Sequence, residues 1–276
     1  MNDNNQTVAA IQMSSGSNLK ANLHQAEKLL LQAIDTGAEL IVLPENFAFM
    51  GDRETEKLKV AEQDGEGEIQ DFLSQQAKKH GIWIVGGTIP IKSNETDKIR
   101  SACMLFSDKG QRVARYDKIH LFDVAIPESG DQYIESEITE AGDDLVCLQT
   151  PFGRLALSVC YDLRFPEFFR SQLDQGIDII AVPSAFTAQT GKAHWEVLLR
   201  ARAIENLSFV IAAAQGGFHM NGRETYGHSM IVDPWGNILN TLAKGSGVIT
   251  AQINREQMEN IRKAFPSLEH RRIRCQ

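Results

Sequence analysis

Residues 155–170 read LALSVCYDLRFPEFFR, and a short apolar run in this segment ends on Cys160. The run is typical of a buried strand, and Pro166 suits the first turn of a helix because its missing N–H needs no partner there. The segment therefore predicts a strand, a tight turn and a helix, with a thiol at the carboxyl end of the strand. Ligands of α/β proteins bind at such strand ends, so Cys160 is either a packed core thiol or a nucleophile.

Strand and helix patterns alternate on both sides of this segment. Strands are predicted at residues 7–13, 38–45, 82–87, 155–160, 177–183 and 208–214. Helices are predicted after Ser17 or Asn18, over about 68–79 and 192–205, after Pro166 and near the C-terminus. A hairpin is predicted over 101–117 and further strands over 228–253. The segment 123–142 has no periodicity, which is typical of a long loop that is either functional or disordered. The pattern predicts an α/β fold in which helices cover mixed sheets, in a single domain over residues 1–276.

Charge and hydropathy exclude several classes of function. The formal net charge of −8 counts against nucleic-acid binding, because phosphate contacts need a concentrated basic face. The basic run HRRIRC at 270–275 is predicted to be a solvated or docked tail. The opening sequence MNDNNQTVAAIQM has no secretory pattern and no apolar stretch could span a bilayer, so we expect a cytoplasmic protein without membrane partners.

The cysteines are scattered and contain no Cys-x-x-Cys pair; they are Cys103, Cys147, Cys160 and Cys275. The 7 histidines likewise form no ligand-spaced pair. We therefore predict neither a disulfide framework nor a metal site, and expect no cofactor.

Three apolar strands end on side chains that packing does not explain: Glu45, Lys118 and Cys160. Each alone is ordinary, since a surface lysine, a loop carboxylate and a core thiol are all common. Together they are chemically coherent, because a thiol attacks an acyl carbon only when a base removes its proton and a cation stabilises the anion. We therefore expect the three strand ends to converge on one site.

The segments LPENF, RYDKIHLFD and SVCYDLRFPE resemble the three signature segments of the nitrilase, or carbon-nitrogen hydrolase, superfamily. The likeness extends from about residue 8 to residue 272, and the order Glu45, Lys118, Cys160 matches the superfamily's triad. It implies a four-layer αββα sandwich with two mixed sheets, which pairs into a homodimer or larger homo-oligomer. It also implies hydrolysis of an amide or nitrile through a thioester.

Carried onto this sequence, the resemblance makes Cys160 the nucleophile and Glu45 the general base. Lys118 and the backbone N–H of Tyr161 would stabilise the oxyanion. The superfamily has a second glutamate in the loop after the lysine, and we assign it to Glu135. The remaining candidates for this position are Glu128, Glu137 and Glu140.

Two later segments resemble one branch of the superfamily: PSAFTAQTGKAHWEVLLRARAIEN at 183–206 and GRETYGHSMIVDPWG at 222–236. This branch cleaves amides of the five-carbon acid 2-oxoglutarate. The resemblance favours deaminated glutathione, the 2-oxo analogue of glutathione, as substrate in a metabolite-repair reaction. The alternative substrate is 2-oxoglutaramate, as in an ω-amidase, or another small linear amide.

A 2-oxo carboxylate needs a cation or several N–H and O–H donors. The substrate-binding candidates near the motifs are Arg164, Phe186, Thr187, Thr190, His194 and Arg202, with Lys192 and Tyr226 as further donors. Two structural alternatives remain open. Arg164 would form a buried ion pair with Asp162, and Arg202 would pair with a carboxylate such as Glu205 or Glu196.

Two other classes of protein remain to be weighed. Papain-like proteases and glutamine amidotransferases need a histidine partner, and the latter need glycines beside the cysteine; Val159 and Tyr161 flank it here. The second rival is a non-catalytic binding protein with the same fold. The presence of all three side-chain types disfavours it.

Overall fold

The computed structural model describes residues 5–126, 130, 132–219 and 222–273. The helices are α1 Leu19–Asp35, α2 Glu68–His80, α3 Pro166–Arg170, α4 Ala188–Asn206 and α5 Arg255–Ala264. The first nine strands are β1 Asn5–Gln12, β2 Leu40–Val42, β3 Trp83–Val85, β4 Ile89–Lys92, β5 Ile99–Phe106, β6 Arg112–Asp117, β7 Asp123–Ala125, β8 Gln132–Ile134 and β9 Cys147–Thr150. The others are β10 Gly153–Leu157, β11 Ile179–Ala181, β12 Phe209–Ala212, β13 Gly216–Phe218, β14 Glu224–Tyr226, β15 Ser229–Val232, β16 Ile238–Leu242 and β17 Gly247–Asn254.

The larger strands form two mixed sheets. The first sheet has the order β17-β1-β2-β3-β5-β4, with β6 paired to β5, and the second has the order β16-β15-β12-β11-β10-β9. The strands β1, β2 and β3 are parallel at the centre of the first sheet, as are β10, β11 and β12 in the second. Antiparallel strands flank both parallel groups. The carboxyl ends of the central strands therefore present their loops at common edges.

Alternation along the central strands divides the core into layers. In β1, Ala9 and Ile11 belong to the apolar cluster that includes α1 and α2, whereas Val8 and Ala10 belong to the cluster of the second sheet. Successive side chains of a strand point to opposite faces, so the first sheet is covered by helices on one side and by the second sheet on the other. Trp195 and Leu199 of α4 join the second cluster. The layers are thus α, β, β and α, and the predicted four-layer sandwich is confirmed.

The helices begin and end where local chemistry allows. Asn18 caps α1 by accepting a hydrogen bond from the Ala21 N–H, and α2 ends at Gly81, whose φ of 64° suits a glycine. Helix α4 begins at Ala188 rather than 192, because the Thr187 side chain accepts the Thr190 N–H and caps it. The predicted start of this helix was therefore wrong by four residues.

The described residues of the segment 123–142 contain more regular structure than the sequence pattern indicates. It contains the short antiparallel pair β7 and β8, followed by a 3₁₀ helix over Glu135–Glu137. Further 3₁₀ helices span Glu54–Lys59, Cys160–Arg164 and Leu173–Gln175. The prediction of an irregular loop was thus wrong for these residues, whose strands are too short to show periodicity.

No helix within the described ranges is long and apolar enough to cross a membrane. Cys103, Cys147 and Cys160 are free thiols. Cys275 and Glu128, which the sequence singled out, lie outside the described residues.

Candidate active site

The three predicted strand ends converge on one cavity. Glu45 follows β2, Lys118 follows β6 and Cys160 follows β10, and all three line a cavity of about 510 Å³. This volume lies within the range of roughly 300–1,000 Å³ that is common for small-molecule sites. The two sheets therefore bring together side chains that are far apart in the sequence; Glu45 and Lys118, for example, are separated by 73 positions.

A buried ammonium and two carboxylates form the centre of the site. Lys118 Nζ lies 3.0 Å from Glu45 Oε1 and 2.7 Å from Glu135 Oε2. Burial alone would raise the pKa of Glu45, but the Lys118 charge and hydrogen bond hold it below its ordinary value. Burial alone would lower the pKa of Lys118, but the carboxylates raise it well above its ordinary value. Both groups are therefore charged at neutral pH.

The second glutamate of the site is Glu135. Its Oε1 and Oε2 both accept hydrogen bonds from Lys118 Nζ, at 2.9 and 2.7 Å, and Oε2 also accepts the Phe122 N–H at 2.7 Å. Glu137 lines the cavity, and Glu140 forms an ion pair with Arg100. Of the competing glutamates within the described ranges, Glu135 is the one that holds the lysine.

Cys160 occupies a strained turn immediately after β10. Its φ of 48° is in the left-handed region, which is uncommon for a residue with a side chain. Its N–H donates to the Pro183 carbonyl at 2.8 Å, which fixes the turn. Burial raises the pKa of the thiol and the Glu45 charge raises it further, against the opposing effects of Lys118 and a hydrogen bond from the Ala185 backbone. The resting site therefore holds a thiol beside a carboxylate, and attack by sulfur requires proton transfer.

A buried carboxylate joins the lysine segment to the cysteine turn. Asp162, which is fully buried, accepts the Tyr116 O–H at 2.6 Å and the Val159 N–H at 2.8 Å through Oδ2. Its Oδ1 lies 2.7 Å from Nδ1 of His120, whose ring stacks on Phe165. The side chain thus connects residues on either side of Lys118 to the turn that carries Cys160.

The predicted ion pair between Asp162 and Arg164 is wrong, because Asp162 is held by the partners just described. The Arg164 guanidinium instead lies 5.0 Å from the centre of the Phe186 ring and 5.8 Å from that of Tyr161. It lines the cavity, and its Nη1 lies 3.1 Å from His194 Nδ1. Arg164 is therefore a cation available to a ligand beside the cysteine.

The other substrate-binding candidates divide into two groups. Phe186 and Thr190 line the cavity with Cys160. Thr187 caps α4, and His194 is exposed and reaches the site only through Arg164. Neither belongs to the cavity wall, so contact of these two residues with a substrate stays a prediction.

Arg202 is a structural residue, and its assignment to substrate binding was wrong. It is only 4% exposed, donates twice to the Leu163 carbonyl and forms an ion pair with Glu205 at 2.7 Å. The alternative of a core-edge arginine is therefore the correct one. Lys192 is exposed outside the wall, and Tyr226 stacks on His228.

The sequence did not identify one part of the wall. The segment 53–57 contributes Arg53, Glu54, Thr55 and Lys57, strand β8 contributes Tyr133, and the loop before β14 contributes Arg223. The segment reads RETEK, which is ordinary for a polar surface, and no motif separates it from other charged runs. Only the tertiary structure shows that these residues line the cavity.

A buried amide supports the backbone of Glu45. Gln215 is fully buried, and its Nε2 donates to the Glu45 carbonyl at 3.0 Å and to Ser15 Oγ at 2.9 Å. Ser15 Oγ in turn donates to the Phe47 carbonyl. The position of the carboxylate is therefore held from both sides of its loop.

The fold and the cluster of Cys160, Glu45 and Lys118 define the class of the protein as a hydrolase with a cysteine nucleophile. Comparison with known families agrees, because the profile described as carbon-nitrogen hydrolase matches residues 7–263, and the chain belongs to that family. It is thus an enzyme that hydrolyses carbon–nitrogen bonds.

One curated relative and two solved structures show which members of the family this chain is similar to. A Synechocystis protein named deaminated glutathione amidase is 47% identical over 267 residues, which cover 96% of this chain and 97% of the relative. The crystal structure of the Caenorhabditis elegans NitFhit protein has a TM-score of 0.90 at 37% identity, covering 97% of this chain but 65% of that one. Saccharomyces cerevisiae Nit3, described as a member of branch 10 of the nitrilase superfamily, has a TM-score of 0.87 at 32% identity, covering 98% of this chain and 97% of the other.

Proposed function

We propose that this enzyme hydrolyses deaminated glutathione to 2-oxoglutarate and cysteinylglycine, as a metabolite-repair amidase. The observation that carries the proposal is the contact of Lys118 with both Glu45 and Glu135 in the cavity that contains Cys160. The Synechocystis relative named for this activity supports the choice of substrate. The 276 residues act as one carbon-nitrogen hydrolase domain.

The first half of the reaction forms a thioester. Glu45 takes the thiol proton as Cys160 Sγ attacks the amide carbon, because the raised pKa of the thiol leaves little free thiolate. The oxyanion that forms is stabilised by the Lys118 ammonium and the Tyr161 N–H. Protonated Glu45 then gives its proton to the amide nitrogen, the C–N bond breaks, and cysteinylglycine leaves.

The second half consumes water. Glu45 removes a proton from a water molecule, whose oxygen attacks the thioester carbon as the same donors stabilise the second oxyanion. The C–S bond breaks, Glu45 returns the proton to sulfur, and 2-oxoglutarate leaves with the free thiol restored. Glu135 keeps Lys118 charged and oriented through both halves, since it accepts hydrogen bonds from Nζ with both oxygens.

The acyl part of the substrate binds beside Arg164. A guanidinium can hold the 2-oxo carboxylate with two parallel hydrogen bonds, and Arg164 is already packed between the Phe186 and Tyr161 rings. Phe186 contacts the methylene groups, and the Thr190 hydroxyl serves as a polar neighbour.

We also propose a homo-oligomer, at least a dimer, that works in the cytoplasm. The outer face of α4 and the adjoining loop expose Val197, Ile204 and Trp235 by 68%, 47% and 55%, which is typical of a covered interface. The free thiols of Cys103, Cys147 and Cys160 are typical of a protein in the reducing cytoplasm. Sedimentation at several protein concentrations tests the oligomer directly.

Two measurements test the reaction and its substrate. Intact mass after brief mixing with deaminated glutathione is expected to show an acyl adduct that is absent from Cys160→Ala and present in the matched control Cys147→Ala. Normal turnover by Cys160→Ala would rule out the mechanism. A kcat/KM much higher for 2-oxoglutaramate than for deaminated glutathione would overturn the substrate.

A further inference from the structure

We propose that a basic wall of the cavity, formed by Arg53, Glu54, Lys57 and Arg223, binds the carboxylate of the departing dipeptide and so selects peptide amides over free amides. This inference rests on the proposed function and names the part of the substrate that the catalytic cluster leaves unaddressed. The four side chains line the same cavity as Cys160.

Three side chains of the wall, Glu54, Lys57 and Arg223, are held in place by ion pairs and hydrogen bonds. Lys57 Nζ lies 2.6 Å from Glu54 Oε2, and Arg223 Nη1 lies 3.9 Å from Glu54 Oε1. The Arg223 guanidinium also donates to the Ala185 carbonyl at 2.9 Å and lies 5.1 Å from the centre of the Tyr133 ring. Two cations of the wall, Lys57 and Arg223, thus share the single carboxylate of Glu54, and their combined charge exceeds its charge.

The carboxyl group of Glu54 is ionised at neutral pH. Lys57, with smaller effects of Arg223 and Lys118, lowers the pKa of Glu54 to about 2 despite partial burial. The carboxylate therefore stays ionised and paired at neutral pH. It orients Lys57 and Arg223, and Arg53 adds a third positive charge to the wall.

Arg53 is the cation that is open to a ligand. It is exposed at the start of the 3₁₀ helix Glu54–Lys59, and its guanidinium has no hydrogen bond or ion pair with any residue in the described part of the chain. A guanidinium presents a planar fork that fits a carboxylate with two hydrogen bonds. Arg53 therefore has the chemistry and the access to hold an anionic end of a substrate.

The cavity has two separate groups of cations. Arg164 is carried by the turn after Cys160, whereas the basic wall is carried by the segment 53–57 and by Arg223. A linear amide with a carboxylate at each end satisfies both groups. Deaminated glutathione is such a dianion, and about two residues, roughly 7 Å of chain, separate its scissile carbonyl from the glycine carboxylate. A free amide such as 2-oxoglutaramate has no second carboxylate that the basic wall could bind.

The test uses three substrates on the whole enzyme: deaminated glutathione, the same molecule with its glycine carboxylate blocked as the amide, and 2-oxoglutaramate. Wild-type kcat/KM is expected to fall about tenfold when the carboxylate is blocked, mainly through KM. In Arg53→Ala the ratio of kcat/KM between the free and blocked substrates should shrink towards one, and Arg53→Lys should restore part of it.

Lys59→Ala is the matched control, because Lys59 lies on the same 3₁₀ helix but outside the cavity wall. It removes one positive charge and should keep the wild-type ratio. Equal turnover of the free and blocked substrates by the wild type, or an unchanged ratio in Arg53→Ala, would overturn the role of the wall. Failure of the wild type to hydrolyse deaminated glutathione while it hydrolyses 2-oxoglutaramate would instead overturn the proposed function.

Discussion

The Nζ atom of Lys118 lies 3.0 Å from Oε1 of Glu45, and their side chains are only 2% and 6% exposed. A buried ion pair of this kind costs desolvation and survives because each charge is satisfied by close partners. The pair also keeps both side chains charged, which the proposed roles of Glu45 as proton acceptor and Lys118 as oxyanion partner require. The two residues therefore depend on each other for both stability and chemistry.

The general-base role predicts the behaviour of Glu45→Gln. The amide cannot accept the thiol proton, so kcat should fall by roughly 10²–10⁴-fold. The intact-mass adduct should form correspondingly slowly, while the circular dichroism spectrum stays that of the wild type. Adduct formation at the wild-type rate would contradict this role.

Removal of the cation should affect stability as well as activity. Lys118→Ala leaves Glu45 and Glu135 buried without their partner, and breaking a buried pair costs about 3–5 kcal/mol. Urea unfolding measures this loss. The double variant Lys118→Ala with Glu135→Gln should recover part of it, because one uncompensated charge is gone; a double variant as unstable as the single one would contradict the electrostatic cause.

Stability should depend on pH through Glu45. Its pKa in the folded protein is below the ordinary value of 4.5, so its contribution is fully present above that value and is lost as the pH falls through the folded pKa. The free energy of unfolding should therefore decrease in this acid range. Glu45→Gln should show a weaker decrease over the same range when both proteins are unfolded with urea.

Cys160 should remain protonated beyond the ordinary thiol pKa of 9.0, because burial and Glu45 raise its pKa. The difference in ultraviolet thiolate absorbance between the wild type and Cys160→Ala should be close to zero up to about that pH. A clear thiolate signal at neutral pH would show that the sulfur is ionised before substrate binds.

The Asp162 network should position the nucleophile. Asp162→Asn weakens its bonds to Tyr116, Val159 and His120, so we expect kcat to fall about tenfold or more with a small change in KM. Tyr116→Phe removes only one of these bonds and should give a smaller loss. If each variant loses stability but keeps the wild-type kcat, the network has only a structural role.

Arg164 should control binding of the acyl carboxylate. Arg164→Met removes the guanidinium but keeps much of the apolar stem, so KM should rise about tenfold or more for deaminated glutathione and 2-oxoglutaramate alike. Arg164→Lys should recover little, because an ammonium cannot make the two parallel bonds. A loss restricted to deaminated glutathione would assign Arg164 to the leaving group instead.

Local sequence alone predicted the layered α/β fold and the strands that carry the site. Periodicity of two or 3.6 residues is a property of neighbouring side chains, so the strand before Cys160 and the helix α2 could be predicted directly. The resemblance of three short segments also identified Glu45, Lys118 and Cys160. Their convergence on one cavity is what the structure added.

Pairing between distant segments required the tertiary structure. The resemblance assigned the second glutamate to Glu135, but only the tertiary structure shows that Glu135 contacts Lys118 whereas Glu140 pairs with Arg100. The same holds for Arg202, which packs in the core, and for Arg53, which faces the cavity. An arginine's role is set by what surrounds its guanidinium, and those neighbours come from elements far apart in the chain.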